Sequence, residues 1–227
     1  RDQVAAGYVV YGAVTCLVVA FSEKALKFTL DHARQRFVLS GPLALPGRSV
    51  TYSVNEANSA LWDDPCRRFV SALKAPRSAQ RLSLRYTGTV TVDVHRILLQ
   101  GGVHLNPRDR TAPRGHLKLL YQCGPLAFVA VKAGGAASDG INSVLELTPS
   151  TLHQRCPLCV GSVREVADLR LLYHTHLAAG SSPTQSPRGP TGLIRFSHTH
   201  TSDLEPPFAY FFWIQGRYEV PPYGDRF

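Results

Sequence analysis

Apolar and polar positions follow two different spacings along this chain, and the changes from one to the other mark its elements. The longest apolar run, Val4 to Phe21, carries no charge over eighteen residues, near the lower limit for a membrane-spanning helix and comparable to a signal-peptide core. Gly12 divides it into a helix-compatible part, Val4 to Tyr11, and a β-branched part, Val14 to Phe21. A helix followed by a fully buried strand is therefore expected, and not a membrane span. Leu26, Phe28 and Leu30 then alternate with Lys27 and Thr29, and Arg36 to Leu39 forms a second short β segment beyond a polar turn at Asp31-His32. An antiparallel pair is expected there. Asp63-Asp64-Pro65 supplies an N-cap with proline at the first helical position, and Phe69, Val70 and Leu73 follow at helical spacing.

Thr87 to Leu99 fits both periods: Thr89 to His95 alternates like a strand, while Val90, Val94, Ile97 and Leu98 form a helical stripe. Gly101-Gly102 stops either element. Leu117 to Lys132 is expected as an apolar helix interrupted at Gly124-Pro125 and ended by Ala133-Gly134-Gly135. Short strands are expected at Val144 to Leu147 and Pro157 to Val160, and Ser162 is placed to cap a helix containing Val166, Leu169 and Leu172. From about Ala178 the chain turns to Ser, Pro, Thr, Gly and aromatics without period; 181–190 is expected as linker or disorder, and the cluster Phe208 to Trp213 could dock on a surface.

Composition narrows the class. With 227 residues and 44% hydrophobic content the chain can bury one sizeable core. It contains no Met and opens on Arg1, so it is expected to be a fragment or a processed product. The net charge of +9 favours anionic partners. The basic residues stand singly or in pairs, as at Arg67-Arg68, Arg108 and Arg110, with no run of five, so no nucleic-acid partner is expected. Five cysteines, an odd number, do not make a secreted disulfide framework and favour a reducing compartment.

Candidate chemistry is sparse. Cys156-Pro157-Leu158-Cys159 has the spacing of a redox pair or half a zinc site, but Cys16, Cys66 and Cys123 are isolated and the flanks are strand-like, so small buried thiols are expected. His174-Thr175-His176 and His198-Thr199-His200 would put both rings on one side of an extended strand; solvated histidines are expected over metal ligands. No Gly-rich phosphate loop and no G-x-S-x-G elbow occurs, and the carboxylates are too scattered for a two-metal cluster.

An ordered set of short motifs says more. Val4-Ala5-Ala6-Gly7-Tyr8 with Tyr11-Gly12, Tyr52-Ser53-Val54-Asn55-Glu56, Arg85-Tyr86-Thr87-Gly88 and Asp93-Val94-His95-Arg96 are followed by Gly101-Gly102, Leu119-Leu120-Tyr121, Ala133-Gly134-Gly135 and His153-Gln154-Arg155 leading to Gly161-Ser162. Together they resemble the class I fructose-1,6-bisphosphatase family, including its sedoheptulose-bisphosphatase relatives, over about residues 1–175. The resemblance implies an α/β fold of layered helices on a mixed sheet, with a sugar-phosphatase-like C-terminal domain. It makes residues 1–22 the end of the N-terminal domain, 23–178 the C-terminal domain, and 179–227 a disordered tail outside the match. It also makes the stretch matching Thr89 to Leu99 a helix.

The family hydrolyses the 1-phosphate of a sugar bisphosphate with magnesium or manganese, usually as a homotetramer. By resemblance Asn55 and Tyr86 hold the sugar's distal phosphate, and Arg85 reaches the phosphate of a neighbouring subunit. Asn58 and Asn106 stand where fructose bisphosphatases place phosphate-contacting tyrosines. His116 stands for a phosphate-binding lysine, and Gln122 for a metal-ligand glutamate, a far weaker ligand for a hard cation. Asn106 and Ala137-Ser138-Asp139-Gly140 lean toward the seven-carbon branch, whereas Asn55-Glu56 and Asp93-Val94-His95-Arg96 lean toward the six-carbon one. The family's metal loop, Asp-Pro-Leu-Asp-Gly-Ser-Ser, has no equivalent in these residues. The expected activity is thus a sugar-bisphosphate phosphatase of carbohydrate metabolism, this chain being an incomplete, inactive portion that does not bind the metal alone, with a catalytically dead sugar-phosphate-binding subunit as the alternative. The resemblance implies a homo-oligomer without membrane attachment, in the cytoplasm, or in a plastid or glycosome.

Overall fold

A computed structural model describes residues 3–75 and 82–180 and the backbone of 209–215. The 181–190 segment, His198, His200 and Phe208 lie outside the described residues. In chain order the strands of the first half are β1 (Gln3–Val10), β2 (Cys16–Phe21), β3 (Lys24–Asp31), β4 (Arg36–Leu43), β5 (Thr51–Ser53) and β6 (Ser83–Leu84). They are followed by β7 (Gly102–Asn106), β8 (Leu117–Lys118), β9 (Ala136–Ser138), β10 (Arg155–Cys156), β11 (Leu158–Gly161) and β12 (Ala209–Gln215). The helices are α1 (Asp64–Lys74), α2 (Val90–Gln100), α3 (Gly124–Lys132) and α4 (Val163–Ala178).

Two five-stranded sheets are stacked with helices between and outside them. The first is antiparallel, in the order β12-β1-β2-β3-β4; the second is mixed, β6-β5-β7-β11-β9, with β5 parallel to both β6 and β7. One apolar core joins Ala6, Tyr8, Val18 and Ala20 of the first sheet to Val90, Val94 and Leu98 of α2, to α3, and to Leu158 and Val160 of β11. A second core lies on the other face of the mixed sheet, where Tyr52, Val103, Leu105 and Cys159 meet Phe69 and Val70 of α1 and Val166 and Leu169 of α4. The layers therefore run sheet, helices, sheet, helices. The expected layered α/β class with a mixed sheet is what the chain forms.

The β3–β4 pair, the Asp63-capped helix, α2 and β11 form where their patterns place them. Other segments differ. The expected helix over Val4 to Tyr11 is strand β1, because its backbone is paired on both sides, by β2 and β12, and pairing of that kind overrides local propensity. The stretch from Leu117 is not one interrupted helix. Pro125 starts α3 within its first turn, and a π-type turn over Leu119–Cys123 precedes it. Val144–Glu146 is a 3-10 turn and not a strand: Val144, Leu145 and Leu147 all pack on the first core, which strand alternation does not allow. Ser162 occupies the N-cap of α4, but its hydroxyl accepts from the Gly102 N–H at 3.1 Å and makes no cap bond. His174 and His176 lie on α4, where a two-residue spacing points the rings apart. The boundary expected after residue 22 falls in the turn of the β2–β3 hairpin, inside one sheet. The stretch expected as a disordered tail contains β12, which pairs with β1 from Gln3–Gln215 to Val10–Ala209.

The mixed sheet depends on close backbone approaches. Gly102, at φ +133°, would place a Cβ 1.8 Å from the Thr51 carbonyl oxygen. Gly102→Ala combines an unfavourable backbone conformation with overlap of main-chain atoms, and is expected to cost about 3 kcal/mol or more. Urea unfolding of the variant checks this; a midpoint within error of the parent contradicts it.

Candidate functional site

Strands β6, β5 and β7 run side by side in one direction, so their carboxyl ends share one edge of the sheet, the edge where open α/β sheets place their ligands. Asn55 leaves β5 there and caps the 3-10 turn Glu56–Leu61, its side-chain oxygen accepting from the Ala57 N–H at 3.3 Å. Asn58 lies inside that turn, its N–H donating to the Asn55 carbonyl at 3.1 Å. Arg85 and Tyr86 leave β6. The Arg85 N–H donates to the Tyr52 carbonyl at 2.9 Å, its guanidinium is exposed, and Tyr86 is 41% exposed. Asn106 ends β7, and its Oδ1 is buried without a partner among the described residues.

His116 joins this edge through Asp109. His116 Nε2 meets Asp109 Oδ2 at 2.9 Å, and Asp109 bridges Trp62, the residue just past the turn that Asn55 caps. Arg110 fixes the same approach, donating from its backbone to Leu61 and from its side chain to Ala60. Burial pushes the Asp109 carboxyl up, but bonds from Thr111, His116 and Ala112 outweigh it and bring the pKa down to about 2. His116 therefore faces a permanent carboxylate.

Gln122 is engaged locally. Its side-chain oxygen accepts from the Lys118 N–H at 2.7 Å, closing the π-type turn. A neutral amide whose oxygen is already engaged does not suit a hard divalent cation. Among the described residues no three His, Cys, Asp or Glu side chains are placed to hold a metal ion. The residues present here do not fit a magnesium or manganese site.

Cys156 and Cys159 are both buried, on strands of different sheets, and burial, reinforced by Cys66 and Glu165, raises the Cys159 thiol far above the range in which it would act as a nucleophile. His174 donates from Nε2 to the Ile141 carbonyl at 3.2 Å.

Behind the edge lies a set of polar groups that the motifs did not single out as a group. Asp93 in α2, Ser53 in β5 and His104 in β7 are all buried. His104 Nδ1 meets the Ser53 hydroxyl at 3.0 Å, and His104 Nε2 has no partner among the described residues. Burial pulls His104 down to about 4, and burial followed by Lys27 does the same to His95, whose Nδ1 meets the fully buried Tyr8 hydroxyl at 3.0 Å. Burial raises the Asp93 carboxyl, against opposing bonds from Thr87, Arg96 and Ser53. The available signal was alternation: with Val103 and Leu105 in the second core, His104 must face the other side of β7.

These features define a class, a layered α/β domain with donor-bearing loops at the carboxyl edge of its parallel strands. Residues 45–174 match the family model described as fructose-1-6-bisphosphatase, C-terminal domain, and the chain belongs to that family. It is 42% identical over 183 residues to a class 1 fructose-1,6-bisphosphatase of Nitratidesulfovibrio vulgaris, covering 78% of this chain and 54% of that protein. It is 39% identical over 175 residues to the cytosolic fructose-1,6-bisphosphatase of Oryza sativa subsp. indica, covering 76% of this chain and 52% of the relative. The crystal structure of Leishmania major fructose-1,6-bisphosphatase in apo form superposes with a TM-score of 0.72 at 37% identity, over 75% of this chain and 55% of that one. The chain thus spans about half the length of the relatives it matches. No helix among the described residues is long and apolar enough to cross a membrane.

The buried histidines set a pH dependence. Between the ordinary imidazole value near 6.5 and the folded value near 4, the unfolded chain takes up a proton that folded His104 refuses. Stability present at neutral pH is therefore lost as pH falls through this window, by about 3 kcal/mol for His104. Urea midpoints measured from pH 7 to 4 should fall, and His104→Phe should remove about one proton's worth of that slope; an unchanged slope contradicts the assignment.

Proposed function

We propose that this chain is the sugar-phosphate-binding portion of a sugar-bisphosphate phosphatase, and that the complete enzyme removes the 1-phosphate of fructose 1,6-bisphosphate or its seven-carbon counterpart. The observation that carries this reading is the convergence of Asn55, Arg85, Tyr86 and Asn106 on the carboxyl edge of three parallel strands. A phosphate dianion is all acceptor, and this edge offers amide, phenol and guanidinium donors in a geometry fixed by the strands. The relatives carry the name fructose-1,6-bisphosphatase, which supports the six-carbon substrate as the first to test.

His116, when protonated, adds a donor beside the edge. Tied to Asp109 through Nε2, it keeps one ring orientation and offers its other face to an anion. Arg85, exposed and with its guanidinium bonded to the adjacent Leu84 carbonyl, suits a contact across a homo-oligomer interface. The complete enzyme would use magnesium or manganese as Lewis acid, with carboxylates this chain does not supply. Gln122 contributes none of them, so the chain binds substrate without turning it over. The cytosolic rice relative supports a cytoplasmic setting.

Calorimetric titration of the 227-residue chain with fructose 1,6-bisphosphate should show saturable binding that weakens about tenfold in Asn55→Ala and in Tyr86→Phe, the loss of one hydrogen bond to a charged group. Addition of magnesium should release no phosphate. Unchanged affinity in both variants contradicts the binding site, and magnesium-dependent phosphate release contradicts the loss of turnover.

A further inference from the structure

Each segment that presents a donor at the carboxyl edge lies one or two residues from a buried line of polar groups. Asp93 stands in the first turn of α2, with 0% of its surface exposed. Both of its carboxylate oxygens accept from the Thr87 N–H, at 3.1 Å each, and Thr87 is the residue after Tyr86. Arg96, one helical turn on, donates to the same carboxylate at 3.2 Å. The Ser53 hydroxyl favours the ionised form of the Asp93 carboxyl, and Ser53 lies two residues before Asn55. His104 meets that hydroxyl from β7, two residues before Asn106 and on the same face of the strand.

The roles along this line follow from its chemistry. An ionised carboxylate only accepts, so the Ser53 O–H is turned toward Asp93 and the Ser53 oxygen accepts from His104 Nδ1–H. His104 is then neutral with a bare Nε2, which agrees with its buried position and with the absence of a partner at Nε2 among the described residues. The line leaves an acceptor unmet inside the protein, which disfavours folding. An apolar residue would fill the space without that penalty.

We propose that Asp93 is the positioning residue of the phosphate pocket, fixing the Arg85–Thr87 loop through the Thr87 amide. This rests on the reading of the edge as a phosphate site. Asp93 touches no ligand; it acts through Tyr86. The loop it holds bonds β5 through the Arg85 N–H and turns at Gly88, and the carboxylate fixes it at Thr87, directly after Tyr86.

The test is titration of the full chain with fructose 1,6-bisphosphate, with amide hydrogen exchange at Thr87 as a second readout. Asp93→Ala should lose at least tenfold in affinity and expose the Thr87 amide to exchange. Asp93→Asn, which keeps one acceptor for that amide, should lose less than Asp93→Ala. Tyr86→Phe combined with Asp93→Ala should bind no more weakly than Asp93→Ala alone. Val94→Ala, which opens a cavity one residue away in the same helix, serves as the control for general destabilisation and should bind as the parent does at a temperature where both are folded. If the parent binds, Tyr86→Phe weakens it and Asp93→Ala does not, the positioning role falls and the phosphate site stands. An equal loss in Val94→Ala also overturns the positioning role. If the parent does not bind at all, the phosphate site falls and this role with it.

Discussion

At its amino end β7 approaches β5 until main chain touches main chain. Gly102 sits against Thr51, and Gly161 of β11 sits against Gly102 from the other side, where a Cβ would lie 2.1 Å from the Gly102 carbonyl oxygen. The same glycine donates its N–H to the Ser162 hydroxyl and accepts from the Ser162 N–H at 2.8 Å. With the three strands clamped at this end, their other ends can diverge only as far as the twist of the sheet allows. The spacing of Asn55 from Asn106 is thus set some distance from the groups that would meet a ligand. Chemistry at the carboxyl edge inherits its precision from backbone contacts that no side chain could replace.

The second constraint is polar. A buried carboxylate is costly unless it is bonded, and Asp93 is met by the Thr87 N–H and the Arg96 guanidinium. Thr87 belongs to the loop and Arg96 to α2 itself, so satisfying one buried charge ties that loop to the helix. Asp109 repeats the device on a smaller scale, binding Thr111, Ala112 and His116 around one turn. In each case the local chemistry that satisfies the carboxylate also orients a neighbour with the means to bind an anion.

Periodicity makes much of the fold legible in the sequence. The Asp63 cap, the β3–β4 alternation and the apolar run from Leu158 to Val160 in β11 correspond to local energetic preferences, and each element forms where its pattern lies. The segment over Val4 to Val10 misleads because its small residues favour a helix locally, whereas its fate is decided by strands on both flanks. Val144 to Leu147 misleads because three apolar residues serve one core through a tight turn. The site is legible only as far as the motifs reach: Asn55, Arg85, Tyr86 and Asn106 can be named, yet nothing in their spacing shows that parallel strands bring them to one edge. Asp93, Ser53 and His104 are invisible as a group because hydrogen bonds among distant residues leave no periodic trace.

The central claim is that this edge receives the phosphate of a sugar bisphosphate. Residue-resolved amide NMR of the 15N-labelled chain during titration with fructose 1,6-bisphosphate tests it most directly. The account predicts that the amide shifts concentrate at Asn55, at Arg85 to Thr87 and around Asn106, and saturate together. Shifts confined to other surfaces, or no saturable shifts at these residues, would contradict it.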